Sequence, residues 1–582
     1  MQGREDAMLA RPVEFGPWNP GIESQVPKEL RHLATIFRAE NVFTSLAAAG
    51  ELRGLTGFNL SELVVFRPQR LALHELLVRI TADIAVPDGT RIADLGLNFR
   101  EIARLLLSRY LEPAMDSITA AYRRAERDVN EVIEPALSHL GRNWGPQEIA
   151  EFEKLAASAA SAASGSSGAS AAAGPSVAGY KSLARVLSAL FTTQGAAWGT
   201  KDLIASMAGG IASNDFGSAC IGQAIAPLLL IGAREQGYKL LPRQEHPVVI
   251  NTKGPSASGK STLRPLQKKL AGDIGVQWSD FALISPDIWR KQLLDYASLG
   301  TAYKYAGAFT SDEVQIIDQK LDRYMAVKNR RGDMSHLLID RFRFDSFAPD
   351  SDEAGSNLLT RFGQTVYLFF VITPPDMLVE RAWMRGLEFG RYKAVDDTLA
   401  HSVEAYSGIP DVFFTWVRSD KRIQFEFLDN TVRLGERPRT AAFGDNETFN
   451  ILDVGVTLDV VRYARIDVDA AAAEHLYPDP KLLAAERNLD LLTRCVKSFH
   501  WVNFADQASG RIYLRIERGL PVEKEQAVLE TAIQIPDTLA AIRAVAPDAL
   551  TGNVPDAPRP RYLNAKDGPA LPPTLGQWGP LS

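Results

Sequence analysis

Two hydrophobic rhythms divide the chain. In the first, apolar residues recur at three- and four-residue spacing, the signature of one helix face. Leu33, Ile36, Phe37, Val42, Phe43 and Leu46 follow it, and so do Leu71, Leu73, Leu76, Leu77, Ile80 and Ile84. Phe99–Leu111 and Ala114–Ile133 give two more helical stretches, parted by Pro113. Tyr180–Gly237 is helical again. The second rhythm begins at Val248. It consists of short, unbroken apolar runs: 248–250, Phe281–Ile284, Leu337–Ile339 and the long run QTVYLFFVIT at Gln364–Thr373. Such runs suit strands buried on both faces of a parallel sheet. Ile423–Leu428 alternates like a further strand. Strands parted by helices predict an α/β, doubly wound parallel sheet.

Composition shifts suggest the boundaries. Residues 1–27 are polar and Pro-rich and read as disordered. A helical domain is expected over 28–155. The run AASAASAASGSSGASAAAGPSV at 156–177 has few side chains to bury and predicts a flexible linker. A helical lead-in over 178–247 precedes the strand-rich core at 248–443. A small α+β extension follows over 444–550, with a helix at Leu482–Val496 and a strand at Arg511–Ile516. The Pro-rich tail 551–582 reads as disordered.

A chain of 582 residues exceeds one typical core. Its 46% hydrophobic and 23% charged content is that of an ordinary soluble protein. The net charge of -6 speaks against a nucleic-acid partner. Two distant cysteines, Cys220 and Cys495, exclude a disulfide framework and point to a reducing, cytoplasmic compartment. The most apolar run, Ile204–Ala233, is interrupted by Asn214, Asp215 and glycines, which favours a buried helical pair over a membrane span.

The chemistry concentrates after the first strand, in Gly254-Pro255-Ser256-Ala257-Ser258-Gly259-Lys260-Ser261-Thr262. This is G-x-x-x-x-G-K-S between a strand and a helix, the phosphate-binding P-loop pattern. Its glycines free the backbone to turn N–H groups inward on an anion. Lys260 suits the β- and γ-phosphates of ATP or GTP, and Ser261 suits Mg²⁺. In open α/β sheets ligands sit beyond the carboxyl ends of strands. Asp287, Asp340 and Arg341 all follow predicted strands, so they are expected to meet Lys260 there. Asp287 is the candidate to orient and deprotonate an acceptor hydroxyl, although Ser-Pro-Asp also reads as a helix cap. Asp340, with Asp345 as its nearby substitute, is the candidate Mg²⁺ carboxylate beside Ser261. Arg381 and Arg385 lie one helical turn apart, followed by Arg391 and Lys393, and could steady charge on a transferring phosphoryl group. Arg290, Lys291, Arg341 and Arg343 could hold an anionic substrate. Tyr303, Tyr305 and Phe309 could stack on a base or simply pack.

GPSASGKS at Gly254–Ser261, SPDIWRK at Ser285–Lys291, LLIDR at Leu337–Arg341 and the Pro374-Pro375 helix with Glu380, Arg381 and Arg385 together resemble the zeta-toxin-like P-loop kinases. The resemblance covers the region 248–443, about a third of the chain. It implies a P-loop kinase-like fold there and phosphorylation of a small-molecule hydroxyl. Zeta toxins act on a nucleotide sugar, and a related plant-pathogen type III effector acts on a nicotinamide dinucleotide. Asp287 then matches the catalytic carboxylate and Arg381 and Arg385 the phosphate-stabilising arginines. A toxin or effector role, a cognate antitoxin, a protein partner on the N-terminal helices and delivery into a host cell belong to the same expectation. Two other readings stay open: a nucleotide-regulated interaction protein, and a polynucleotide kinase.

Overall fold

The computed structural model describes residues 15–141, 144–164, 174–341, 358–433, 435–564 and 571–580. Arg343 and Asp345 lie outside them, as do residues 1–14 and the centre of the Ala/Ser/Gly run.

One mixed sheet of 10 strands runs through the molecule in the order β10-β9-β8-β7-β6-β5-β4-β1-β3-β2. Its parallel part is β1 Val248–Lys253, β2 Phe281–Ile284, β3 His336–Asp340, β4 Thr365–Ile372 and β5 Arg422–Asp429. The continuous apolar runs of β1, β3 and β4 are buried almost throughout, as helices cover both faces. β1 is followed across the sheet by β3 and β2 on one side and by β4 and β5 on the other. A crevice therefore opens between the carboxyl ends of β1 and β4, where connections leave in opposite directions.

The purely parallel sheet expected is corrected beyond β5. β6 Arg439–Asp445 pairs antiparallel with β5, and β7 Thr448–Ile451, β8 Trp501–Ala505, β9 Ile512–Glu517 and β10 Leu520–Lys524 continue the same sheet. The segment 444–550 is thus half of the sheet rather than an appendage. Phe413, on helix Val395–Val417, joins the two halves. Its ring lies 4.8–6.1 Å from Phe370, Phe414, Phe425, Phe427, Phe449 and Phe499.

The helical region over 28–155 is not set apart either. Helix Pro68–Asp83 is buried from Leu71 to Ala82 and shares one continuous core with the sheet. Its polar residues are paired there. Glu313, on helix Ala306–Arg330, accepts hydrogen bonds from Arg70 and lies 2.7 Å from His74 Nε2. Before this helix, residues 28–37 form 3₁₀ turns instead of the expected helix, and the first α-helix is Leu46–Thr56. Helix Pro146–Ser164 runs through the first part of the expected linker, because alanine favours helix over coil. The run 201–235 is a helix broken by a π-helical turn at Ser213–Gly217. It is long and apolar enough to cross a membrane, and it packs against helices Pro68–Asp83 and Met115–His139.

Both expected disordered ends are held where they are described. Trp18 and Val26 pack into apolar clusters. Leu575 and Gly576 N–H groups donate to buried Glu426, and Trp578 packs on Phe443.

Candidate functional site

The glycine loop leaves β1 at the crevice. Gly254 is required there, since a Cβ would stand 2.7 Å from the Val371 carbonyl of β4. Gly259, with φ 95°, faces Asn430, whose amide a Cβ would meet at 2.5 Å. Ala257 holds φ 65° without being glycine, a strained conformation of the kind found in ligand-binding loops. Three side chains pin the loop through one atom, the Ser258 carbonyl: Asn430 Nδ2 at 2.6 Å, Thr373 Oγ1 at 3.3 Å and Arg381 Nη1 at 3.4 Å. The next turn, Lys260–Leu263, is 3₁₀, and the α-helix Arg264–Asp273 begins after it.

Lys260 Nζ folds back on the loop and donates to the Gly254 and Pro255 carbonyls, both at 2.9 Å. Burial lowers its pKa and Arg385 adds to this, while Asp340 and Asp287 oppose it. Ser261 Oγ donates to Asp340 Oδ2 at 3.1 Å, although the residues lie 79 apart in sequence. Arg264 approaches the same carboxylate at 3.9 Å.

Asp287 stands on the opposite wall, after β2. The Ser285 start of its short helix has no side-chain cap, so Asp287 is not spent there. Its oxygens accept from Arg290 at 2.9 Å and from Arg391. Desolvation in the cleft would raise its pKa. Arg391 and Arg290, with Arg385 behind them, outweigh that and hold the carboxyl well below its usual range. Arg385 reaches Ser256 Oγ at 3.4 Å, and its Nε is buried with no hydrogen-bond partner among the described residues. Burial, with help from Arg391, pulls its pKa down to about 10.

The other expected residues divide. Arg381 donates to the Asn430 and Val432 carbonyls at 2.8 and 2.9 Å besides Ser258, so its guanidinium is committed to backbone and braces the loop. Arg341 is a correction. It is buried behind β3 between Asp318 and Asp322 and cannot receive a substrate. Arg290 donates to Gly307, Thr310 and Ser311 as well as Asp287, which fixes it as a support. Lys291 lies 5.6 Å from the Tyr296 ring centroid. Lys393 contacts His401 and Asp397, and burial pulls its pKa to about 8. Phe309 is core, and Tyr305 accepts from the Glu23 N–H. Tyr303 packs edge-on against Tyr392 at 5.9 Å.

Lys260, Arg264, Arg290, Arg385 and Arg391 thus surround two carboxylates, Asp287 and Asp340. This surplus of positive charge, with an orphan buried guanidinium nitrogen, suits a multiply charged anion.

No family model, curated protein or solved structure matches the chain.

Three supporting residues escaped the sequence reading: Thr373, Asn430 and Arg264. Thr373 and Asn430 directly follow β4 and β5, so the rule that led to Asp287 and Asp340 reaches them too. Arg264 carried no such signal. Among the described residues no group of three or more His, Cys, Asp or Glu side chains could by itself hold a metal ion.

Proposed function

We propose that this chain is an ATP- or GTP-dependent phosphotransferase that phosphorylates a small-molecule hydroxyl, as a zeta-toxin-like P-loop kinase does. The observation that carries this reading is the Ser261–Asp340 hydrogen bond at 3.1 Å beside Lys260. It brings a hydroxyl and a carboxylate together at the loop where a nucleotide's phosphates would lie. The parallel order β5-β4-β1-β3-β2 and the crevice at β1 and β4 support a P-loop kinase-like, doubly wound half-sheet.

Ser261 and Asp340 are hard oxygen donors and fit Mg²⁺, whose remaining ligands would be water and phosphate oxygens. When bound, Mg²⁺ supplies neutralisation of phosphate charge. The chain's own residues do the rest. Lys260 leaves the Gly254 and Pro255 carbonyls for the β- and γ-phosphates. Arg385, already dehydrated, offers its free Nε to the equatorial oxygens of the group in transfer. Asp287, across the cleft, accepts the hydrogen bond of the acceptor hydroxyl and aims its oxygen at the phosphorus. Its depressed pKa makes it an orienting acceptor first and a proton acceptor only late in the transfer.

Asp287→Asn tests the reading, because it removes the charge and keeps the shape. Turnover should fall by roughly 10²–10⁴ while ATP affinity and melting temperature stay near wild type. Wild-type turnover in this variant sinks the assignment. The acceptor comes from comparing metabolites of cells expressing wild type and Asp287→Asn.

A further inference from the structure

The cleft has two walls, and a segment far away in sequence ties them together. One wall comprises residues 287–309, with Asp287, Arg290 and Tyr303. The other is helix Pro375–Phe389 and the turn after it, with Arg385, Arg391 and Tyr392. Residues 15–27 touch both. Trp18 packs against the apolar cluster that holds Val379 of the second wall and Leu399 of the following helix, Val395–Val417. Val26 packs with Leu294, Leu299 and Ala302 on the first. Between these anchors the Glu23 N–H donates to Tyr305 Oη at 3.3 Å.

Lys304 is the centre of the crossing. Its Nζ donates to the Pro20 carbonyl at 3.1 Å and lies 4.2 Å from the Phe15 ring centroid. It also lies 5.1 Å from the Tyr392 ring centroid. Tyr392 is itself held by Trp383, at 5.7 Å between centroids, and by Tyr303. It adjoins Arg391, which pairs with Asp287. A continuous chain of contacts therefore leads from the N-terminal segment to the carboxylate. In this arrangement each Asp287 oxygen accepts from an arginine, Oδ1 from Arg290 and Oδ2 from Arg391, so a hydroxyl reaching this half-exposed carboxylate competes with them.

We propose that residues 15–27 are a strap, with Lys304 as its clasp, that holds the two walls together and keeps Arg391 on Asp287 until an acceptor displaces it. The strap belongs to the phosphotransferase reading, since it regulates that same carboxylate. A cation over two rings with one hydrogen bond is strong enough to bias a hinge and weak enough to release.

Hydrogen exchange on the full-length chain tests it with Trp18→Ala, Lys304→Gln and Lys304→Arg, together with ATP turnover in the absence of acceptor. Exchange over 383–394 and 296–309 should quicken about tenfold in Trp18→Ala and Lys304→Gln, equivalent to about 1.4 kcal/mol. Helix Pro68–Asp83 serves as the control and should not change. Lys304→Arg keeps the charge over the rings and should stay close to wild type. ATP hydrolysis should rise several-fold in Lys304→Gln, as Asp287 becomes free to orient water. Unchanged exchange at both walls, or an equal increase in the control helix, overturns the strap. Faster exchange without faster hydrolysis overturns its hold on Asp287. If wild type binds no ATP, the phosphotransferase reading fails, and the exchange comparison still decides whether residues 15–27 clasp the walls.

Discussion

From β2 to β5 the strands run parallel, and their carboxyl ends carry the glycine loop, Asp287, Asp340, Thr373 and Asn430. From β6 to β10 the pairing is antiparallel except between β7 and β8, and Phe449 and Phe499 from this half meet the Phe413 ring, which stands on a helix of the parallel half. The first half crowds like charges, dehydrates Lys260 and Arg385 and strains Ala257. None of these features favours folding. The second half has partly buried charge as well, but Arg462 there is fully engaged by Asp459 and Asp537. The aromatic cluster, which spans both halves, supplies packing that offsets these costs.

Substitutions in the charged loop and in the aromatic cluster should therefore separate activity from stability. The largest effect is expected from Lys260→Ala. Phosphotransfer should vanish, while the melting temperature stays level or rises, because a buried cation with a lowered pKa is removed. A marked fall in melting temperature would break the comparison. Phe413→Ala should do the reverse. It opens a cavity where six other rings meet and should cost about 3–5 kcal/mol in urea unfolding. Nucleotide affinity of the molecules still folded should remain. A loss of affinity alongside stability would make the loop and the cluster one cooperative unit.

A smaller effect concerns pH. Burial pushes Glu426 up to about 7, although Thr440 and the Leu575 and Gly576 N–H groups partly oppose this. A carboxyl raised in the folded state contributes stability that is fully present below its unfolded pKa and lost as pH rises through 7. The span from about 4.5 to 7 corresponds to at most about 3 kcal/mol. Melting temperature should therefore decline between pH 5 and 8 in wild type, and less in Glu426→Gln. The Gly576–Gln577 region should be the first part to loosen, read by hydrogen exchange.

The parallel half was legible because its signals are local. A strand buried on both faces is one unbroken apolar run, and the loop's glycines and lysine lie within a dozen residues. The same locality misled elsewhere. Ala156–Ser164 has little to bury, yet alanine makes helix without needing to bury anything. In the extension after 444 the strand expected at Arg511–Ile516 is β9, whereas β7, β8 and β10, only four or five residues each, are too short to show a period. Arg341 followed a strand as Asp340 does, but its side chain turns back under helix Ala306–Arg330. Chain position gives the end of a strand and not the direction of the side chain. Arg381 and Arg385 show the same limit. One helical turn separates them, and one braces backbone carbonyls while the other keeps a free nitrogen at the loop.

The burial of helix Pro68–Asp83 also sets the order of events during synthesis. Arg70 leaves the ribosome 243 residues before Glu313, its partner in the finished core. At about 5–20 residues per second this helix waits tens of seconds for its partners. Until then its buried apolar residues, and the polar ones paired only in the finished core, are left to its helical neighbours or to a chaperone. This helix, among the first to be made, is finished only when the chain has passed residue 313.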